Sequence, residues 1–436
     1  MEDQKLSRIM KKAFYRLQPL LLLGYLLAYI DRVNIGFAAL TMNQDLGISA
    51  YTYGLAAGVF FWGYVLFEIP SNMVMEKVGA RLWIARIMIT WGLISACCSL
   101  VQGEKSLLVM RFLLGSAEAG FYPGVILYMT YWFPQRYRAT ALALFSVALP
   151  ISLGLGAPIS TAILKLDGLL GVKGWQWVFI LEGIPTMLFG CVFLAIVPNK
   201  PKDAKWLSQA EREHLQRVVD DEHKAVQPAQ GGKVWKILLD SRLLILSFIY
   251  FIDTGTNLGL AFFLPQMLKR MGLVGMDIGW VTAIPYVFGM IGTLAFGYLS
   301  DKLKTRKWSV VTALCLIGVG MIGAGMATSV TSMIAMMSVG AIGIYGLKAP
   351  FWALPSLFLT GQAAAVGIAA INSIGNMGGF AGPYAVGWIR ESTGAFESGL
   401  FLLGGAGLVA AVIAILFVHL EKEAKLASEK AAVTVK

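Results

Sequence analysis

Apolar stretches as long as a bilayer is thick recur along the chain, and they constrain its fold more than any other feature. They lie near residues 17–40, 53–75, 82–101, 107–130, 139–164 and 177–197, and resume near 243–267, 278–299, 308–327, 332–357, 364–389 and 399–419. About 20 consecutive apolar residues span the hydrocarbon core as a helix, and a helix satisfies its own backbone where no water can. Twelve such helices need about 250 residues, and 57% of the 436 residues are hydrophobic while only 14% are charged. Soluble domains carry about 25% charged residues, so a soluble enzyme, a nucleic-acid-binding module and a disordered chain are excluded. The runs are unbroken rather than alternating in segments of about ten, which excludes a β-barrel. The expected class is an all-α polytopic membrane protein with twelve transmembrane helices.

The basic residues predict its orientation. With the N-terminus inside, the outside loops hold only Lys105, Lys165, Lys173, Lys269, Arg270 and Arg390, and Arg32, Arg86, Arg111 and Lys348 fall within spans. All the others of the 36 Lys and Arg residues lie in inside segments, as the positive-inside rule demands. Both termini are therefore expected to be cytoplasmic, and the net charge of +11 reports topology rather than an acidic partner. Met1–Arg16 is polar and basic, and the apolar run behind it is long enough to span. It reads as the start of a first helix rather than a signal peptide. Cys97, Cys98, Cys191 and Cys315 all fall in apolar segments and read as small apolar fillers.

A charged stretch from about Pro198 to Arg242 divides the chain into two halves of six spans. The expected organisation is a six-helix bundle at 1–197, a cytoplasmic central loop at 198–242, a second bundle at 243–419 and a cytoplasmic tail at 420–436. Within the loop, Ser208 and Glu211 have capping-box spacing, and Leu215, Val218 and Val219 make a narrow apolar stripe, so a short surface helix is predicted. The halves repeat each other. Ile30-Asp31 matches Ile252-Asp253, and Asn34-Ile35-Gly36-Phe37-Ala38 matches Asn257-Leu258-Gly259-Leu260-Ala261. Glu76 and Asp301, Trp83 and Trp308, and Pro158 and Pro383 all stand 225 residues apart. An even number of spans separates the copies, so the repeat is parallel, as in transporters whose two bundles rock about a central site.

The loop Gly297-Tyr298-Leu299-Ser300-Asp301-Lys302-Leu303-Lys304-Thr305-Arg306-Lys307 resembles the signature of the major facilitator superfamily. Its first copy is degenerate, with Asn72 in place of glycine and Glu76 in place of aspartate, while Gly79 and Arg81 keep the pattern. The resemblance implies two pseudo-symmetric six-helix bundles, the major facilitator fold. It also implies a cytoplasmic latch in which Glu76, Arg81, Asp301 and Arg306 hold neighbouring helix ends.

Five charges lie where charge is expensive. Asp31, Arg32, Arg111, Glu118 and Lys348 sit inside spans, and at about 2.5–3.5 kcal/mol each they must be offset by pairing and by their apolar surroundings. Arg111 and Glu118, seven residues apart, share a helix face about 10 Å apart along the axis, too far for a direct pair. Either Arg32 pairs with Glu118 or Asp31 pairs with Arg111. The clustering of charge on two helices of one half points to a substrate and proton site.

Tyr29-Ile30-Asp31-Arg32, the segment from Arg111 to Gly124 (with Gly115-Ser116-Ala117-Glu118-Ala119-Gly120 at its centre), Gly174-Trp175-Gln176-Trp177 and Asn372-Ser373-Ile374-Gly375-Asn376 resemble the anion:cation symporter family. By that resemblance Tyr29 and Arg32 hold a substrate carboxylate, Asp31 and Glu118 take up protons, Arg111 balances them, and Asn376 faces the substrate from the second half. Lys348 either neutralises a second carboxylate or snorkels. Asp253, the repeat mate of Asp31, either bonds to Thr254 or Thr256 or takes part in coupling. Phe121, Tyr122, Phe351 and Trp352 serve as core filler or as stacking surfaces for a ring-bearing substrate.

His214, His223 and His419 lack any partner at metal-ligand spacing, and no G-x-x-x-x-G-K-[ST] segment is present, so neither a metal site nor ATP-driven pumping is indicated. The expected function is proton-coupled uptake, by alternating access, of a small organic anion such as an aromatic carboxylate, tartrate or a sugar acid. The setting is an inner or plasma membrane, the lipid bilayer is its surroundings, no cofactor is expected, protons are the coupling ion, nucleic acid plays no part, and the working unit is a monomer. The alternative is a receptor that binds an acid without moving it.

Overall fold

The computed structural model describes residues 2–225, 238–303, 306–359 and 361–417. The first half runs α1 (Glu2–Leu46), α2 (Ala50–Val78), α3 (Ala80–Cys97), α4 (Glu104–Glu118), α5 (Phe121–Trp132), α6 (Gln135–Ser146), α7 (Ala148–Leu164) and α8 (Gly174–Ile196). After α9 (Gln209–Ala225) the second half runs α10 (Ser241–Arg270), α11 (Met276–Leu303), α12 (Arg306–Gly325), α13 (Val330–Ala353), α14 (Gly361–Asn376), α15 (Gly378–Thr393) and α16 (Glu397–Phe417). The tail at 420–436 and His419 lie outside the described residues.

Ten helices among the described residues are long and apolar enough to cross a membrane, with α6 and α7 counting as one crossing interrupted at Val147. The other two apolar runs are helical as well, but each is broken into shorter pieces, α4–α5 and α14–α15. The first break is sharp. Ala119 leaves the helix at φ −55°, ψ 130°, and Gly120 follows at φ 89°, a left-handed conformation that strains any residue with a Cβ. A side chain there would also overlap Ser71. Glu118 thus ends α4 at a discontinuity. Broken backbone at membrane depth survives only when buried in protein or lining a cavity, and in transporters such breaks mark binding sites. The second break is milder. Met377 keeps helical dihedrals (φ −63°, ψ −21°), and its N–H is shared between Ser373 O and Ile374 O at 3.3 and 3.2 Å.

The chain divides into two compact units, one of residues Met1–Leu46 and Val59–Gln227, the other of Gly47–Gly58 and Pro228–Lys436. In the first, α1 packs on α7 and α8, and α3 packs on α8 and α4. In the second, α10 packs on α14, α15 and α16, while α13 lies against α11 and α12. The first turns of α2 group with the second unit, where the Tyr53 hydroxyl donates to Phe262 O at 2.8 Å.

Local sequence explains the helix ends. Asp240 caps α10 by accepting from Arg242 N at 2.9 Å, and Ser329 caps α13 by accepting from Ser332 N at 3.2 Å, each satisfying an otherwise orphaned donor. The predicted surface helix is α9, with its capping box in place. Ser208 N–H donates to Glu211 Oε2 (2.9 Å) and Glu211 N–H to Ser208 Oγ (3.3 Å). Leu215 and Val219 are buried under it and Val218 is half-buried. Lys12 of α1 pairs with Glu211 at 2.7 Å, and Glu222 accepts from Gln135 N at 2.9 Å and lies 3.7 Å from Arg138. The helix therefore bridges the starts of α1 and α6.

Candidate functional site

Asp31 and Arg32 are consecutive on α1, so their side chains leave the helix about 100° apart and meet different neighbours. Arg32 turns toward α2 and α4, where its guanidinium forms an ion pair with Glu118. Of the two pairings open to the sequence, this is the one that forms. Glu118 is 1% exposed. The same guanidinium lies over the rings of Tyr29 (4.9 Å to the centroid), Phe60 (5.3 Å) and Tyr64 (5.4 Å), with Phe61 at 6.0 Å. Arg111, fully buried on α4, lies over Phe60 at 5.0 Å, so one ring serves both arginines. Aromatic faces attract cations, and more strongly where water is excluded.

Close helix approach puts those rings there. A Cβ on Gly115 would overlap the carbonyl oxygen of Phe60, and one on Gly63 would overlap that of Phe112. Only hydrogens fit between α2 and α4 at these points. Phe60 and Tyr64, one turn apart on α2, then face the arginines.

Asp31 turns the other way, into α3 and α8, and is 1% exposed. Its Oδ2 accepts from the Trp91 indole and from the Thr186 hydroxyl, both at 2.8 Å, and its Oδ1 accepts from Ser95 Oγ at 2.9 Å. Three neutral donors therefore solvate this carboxylate. Glu182, one turn before Thr186 on α8, is buried as well and accepts from Ser160 Oγ at 2.7 Å.

The second unit carries an ion pair of its own. Lys348 on α13 pairs with Asp253 on α10, and neither the Thr254 nor the Thr256 hydroxyl bonds to Asp253. The ammonium also lies 4.8 Å from the centroid of Tyr250, whose ring stacks on Phe351 at 5.5 Å and meets Trp352 edge-on at 5.1 Å. Phe351 is fully buried. Asn376 is half-buried at the last position of α14, next to the break.

The residues expected to form a latch divide by charge. Arg81 donates through Nε to Leu194 O at 2.8 Å, near the end of α8, and Arg306 donates to Ala353 O at 3.2 Å, at the end of α13. Both arginines thus satisfy carbonyls that a helix leaves open at its C-terminus. Glu76 is exposed with no ion-pair partner among the described residues. Asp301 belongs to α11, and its side chain lies outside the described residues.

Sequence reasoning missed Phe60, Phe61 and Tyr64, the donors Trp91, Ser95 and Thr186, and the Asp253–Lys348 pair. Trp91 and Ser95, four apart in an apolar run, were the one available signal for Asp31's partners. The other contacts come from neighbouring helices and leave no local pattern.

Membrane-crossing helices in two repeated halves, with buried charges paired inside each half and helices broken at membrane depth, define a membrane transporter. The chain belongs to the Major Facilitator Superfamily, whose sequence profile matches residues 21–383 and 278–434. It is 45% identical over 413 residues to a "Putative tartrate transporter" of Agrobacterium vitis, covering 94% of this chain and 91% of that protein. It is 39% identical over 419 residues to a "Quinolone resistance transporter" of Acinetobacter baumannii, covering 95% and 96%. The fold is also that of the xylose transporter XylE from E. coli in its inward-open conformation, with a TM-score of 0.74 at 17% identity over 93% of this chain and 96% of that one.

Proposed function

We propose that the protein takes up a small organic anion together with protons, by alternating access, and that the Arg32–Glu118 pair is the switch. That pair carries the reading. While Glu118 is ionised it occupies the guanidinium, and when it is protonated Arg32 is left to a carboxylate of the substrate, which it grips with a planar fork of donors. Tyr29 helps hold that carboxylate, Asp31 is the second proton acceptor, and Arg111 offsets the two acids. Lys348 and Asn376 are further anion contacts, and Glu76, Arg81, Asp301 and Arg306 act as a cytoplasmic latch. Protons are the only coupling ion. The protein works as a monomer in the plasma membrane, with both termini in the cytoplasm.

The name of the Agrobacterium vitis relative makes tartrate the first anion to test. The quinolone-named relative shows that similar chains carry different substrate names, so the argument rests on the charge arrangement. The test is uptake of radiolabelled tartrate into proteoliposomes with an imposed inward proton gradient. Accumulation that collapses when the gradient is dissipated is expected. Saturable binding without accumulation would instead identify a receptor.

A further inference from the structure

We infer that Asp253 and Lys348 form a second proton-linked anion subsite, in which protonation of Asp253 releases the Lys348 ammonium to a carboxylate of the substrate. The inference rests on the proposed uptake of an organic anion and adds a third proton-binding position to it, on the other half of the repeat.

The two partners differ in access. The Asp253 side chain is 0% exposed, whereas that of Lys348 is 24% exposed. An anion can reach the ammonium but not displace the carboxylate from its place. Only a species as small as a proton can neutralise Asp253 where it sits. The carboxylate has room for one: Oδ2 takes the lysine, and the buried Oδ1 accepts from no group among the described residues. The hydroxyls of Thr254 and Thr256 are also buried and do not bond to it.

Charge balance then links the two ligands. The ion pair is neutral. An anion added to Lys348 beside an ionised Asp253 would leave a net negative charge in the protein interior, whereas an anion arriving with a proton leaves it neutral again. Each ligand therefore favours the other by the same factor. Meanwhile the Tyr250 face, 4.8 Å from the ammonium and braced by Phe351 and Trp352, keeps the lysine in position once the carboxylate no longer attracts it.

The other charged residues of the helices around α10 stand near the helix ends. The helices packed on α10 are α11, α13, α14, α15 and α16, with Tyr53 of α2 meeting Phe262, nine residues along from Asp253, and α14 carries no titratable residue. On α15, Gly378 packs on Phe251 and Gly255, and Gly382 packs on Gly255; Arg390 and Glu391 begin about 12 Å beyond Gly382 along that helix. Glu397 of α16 adjoins Phe396, whose ring meets Phe263, about 15 Å along α10 from Asp253. On α11, Asp277 and Lys302 occupy the first and last turns, and Tyr286 meets Tyr345 rather than Asp253. On α13, Tyr345 donates its hydroxyl to Asn257, 3.1 Å away.

The test is tartrate binding to the purified full-length protein across pH 5 to 9, with proton uptake followed by an indicator dye in weakly buffered solution. The parent should bind tartrate more weakly as pH rises. Asp253→Asn, a mimic of the protonated acid, should take up one proton fewer per tartrate. Its plot of log affinity against pH should be shallower by up to one, a tenfold difference per pH unit. Glu118→Gln should lose a separate proton and leave the Asp253 contribution in place. The charge-neutral double variant Asp253→Asn/Lys348→Gln, which leaves no buried charge unpaired, should lose the same proton and at least tenfold in affinity at pH 5. Parent-like slope and stoichiometry in Asp253→Asn, or in the double variant if the single one does not fold, overturns the inference and leaves the Arg32–Glu118 reading standing. Tartrate binding that is pH-independent in the parent itself removes both.

Discussion

Glu118 and Lys348 do the same geometric work in the two halves and carry opposite charges. Each lies on the fourth span of its half and pairs with a charge on the first, Glu118 with Arg32 and Lys348 with Asp253. The repeat keeps the bridge between these two helices and exchanges which one bears the cation. A buried pair broken on one side leaves an uncompensated charge, which costs several kcal/mol. Each bridge therefore responds strongly to any ligand, proton or anion, that replaces one partner.

Arg32 should be intolerant of replacement. Arg32→Ala removes the guanidinium and leaves Glu118 buried alone, and anion binding should weaken by about 2–5 kcal/mol. Arg32→Lys should also bind poorly, because a point charge does not reproduce the planar fork. Isothermal titration with tartrate measures both, and parent-like affinity in the lysine variant would rule out the assigned contact.

Glu118→Gln should separate exchange from accumulation. The amide mimics the protonated acid and leaves Arg32 available, so counterflow exchange of tartrate should persist while accumulation driven by a pH gradient disappears. Full accumulation in the same vesicle preparation as the parent would take Glu118 out of the proton path.

The donors around Asp31 should be worth their hydrogen bonds. Bonds to a charged group contribute about 1.5–3 kcal/mol each, so Thr186→Val, which deletes the 2.8 Å contact, should lower the melting temperature and slow gradient-driven uptake. Thr186→Ser keeps the hydroxyl and should retain most of both. A valine variant as stable and active as the parent would mean that Asp31 does not depend on this donor.

Gly115 should accept no side chain. Gly115→Val places atoms where the Phe60 carbonyl oxygen lies, forcing α2 from α4 and pulling the Phe60 ring from Arg32 and Arg111. Overpacking of this kind costs about 1–3 kcal/mol or more. Thermal unfolding in detergent should register it as a lower midpoint.

Docking of α9 should weaken in acid. The hydrogen bond from Lys12, with the backbone of Ser208, holds the Glu211 carboxyl below the usual glutamate range. A lowered value means that the contact is present in full above the ordinary glutamate pKa and lost as pH falls through the lowered one. Exposed pairs contribute only about 0.2–1 kcal/mol, so the effect should be local. Hydrogen exchange at the start of α9 should speed up at low pH, after correction for intrinsic rates, and Glu211→Gln should reduce that pH dependence, leaving the part carried by Glu222 near Arg138.

The sequence by itself determined the class of fold, its repeat and the places where charge enters the membrane. Apolar length, basic asymmetry and the cost of an embedded charge are properties of short segments, and each leaves a local mark: the runs from 17–40 to 399–419, the match of Ile30-Asp31 with Ile252-Asp253, the capping box at Ser208 and Glu211. It also narrowed the charge pairing in the first half to two possibilities, Arg32 with Glu118 or Asp31 with Arg111. Tertiary structure decided the rest. Asp31 and Arg32 are neighbours in the chain, yet one is solvated by Trp91, Ser95 and Thr186 while the other is bound to Glu118 among aromatic rings. Nothing local to those two residues distinguishes them, because their environments are set by which helices lie on either side of α1. The Asp253–Lys348 pair was illegible for the same reason: its partners lie 95 residues apart, and only the packing of α10 near α13 makes them neighbours.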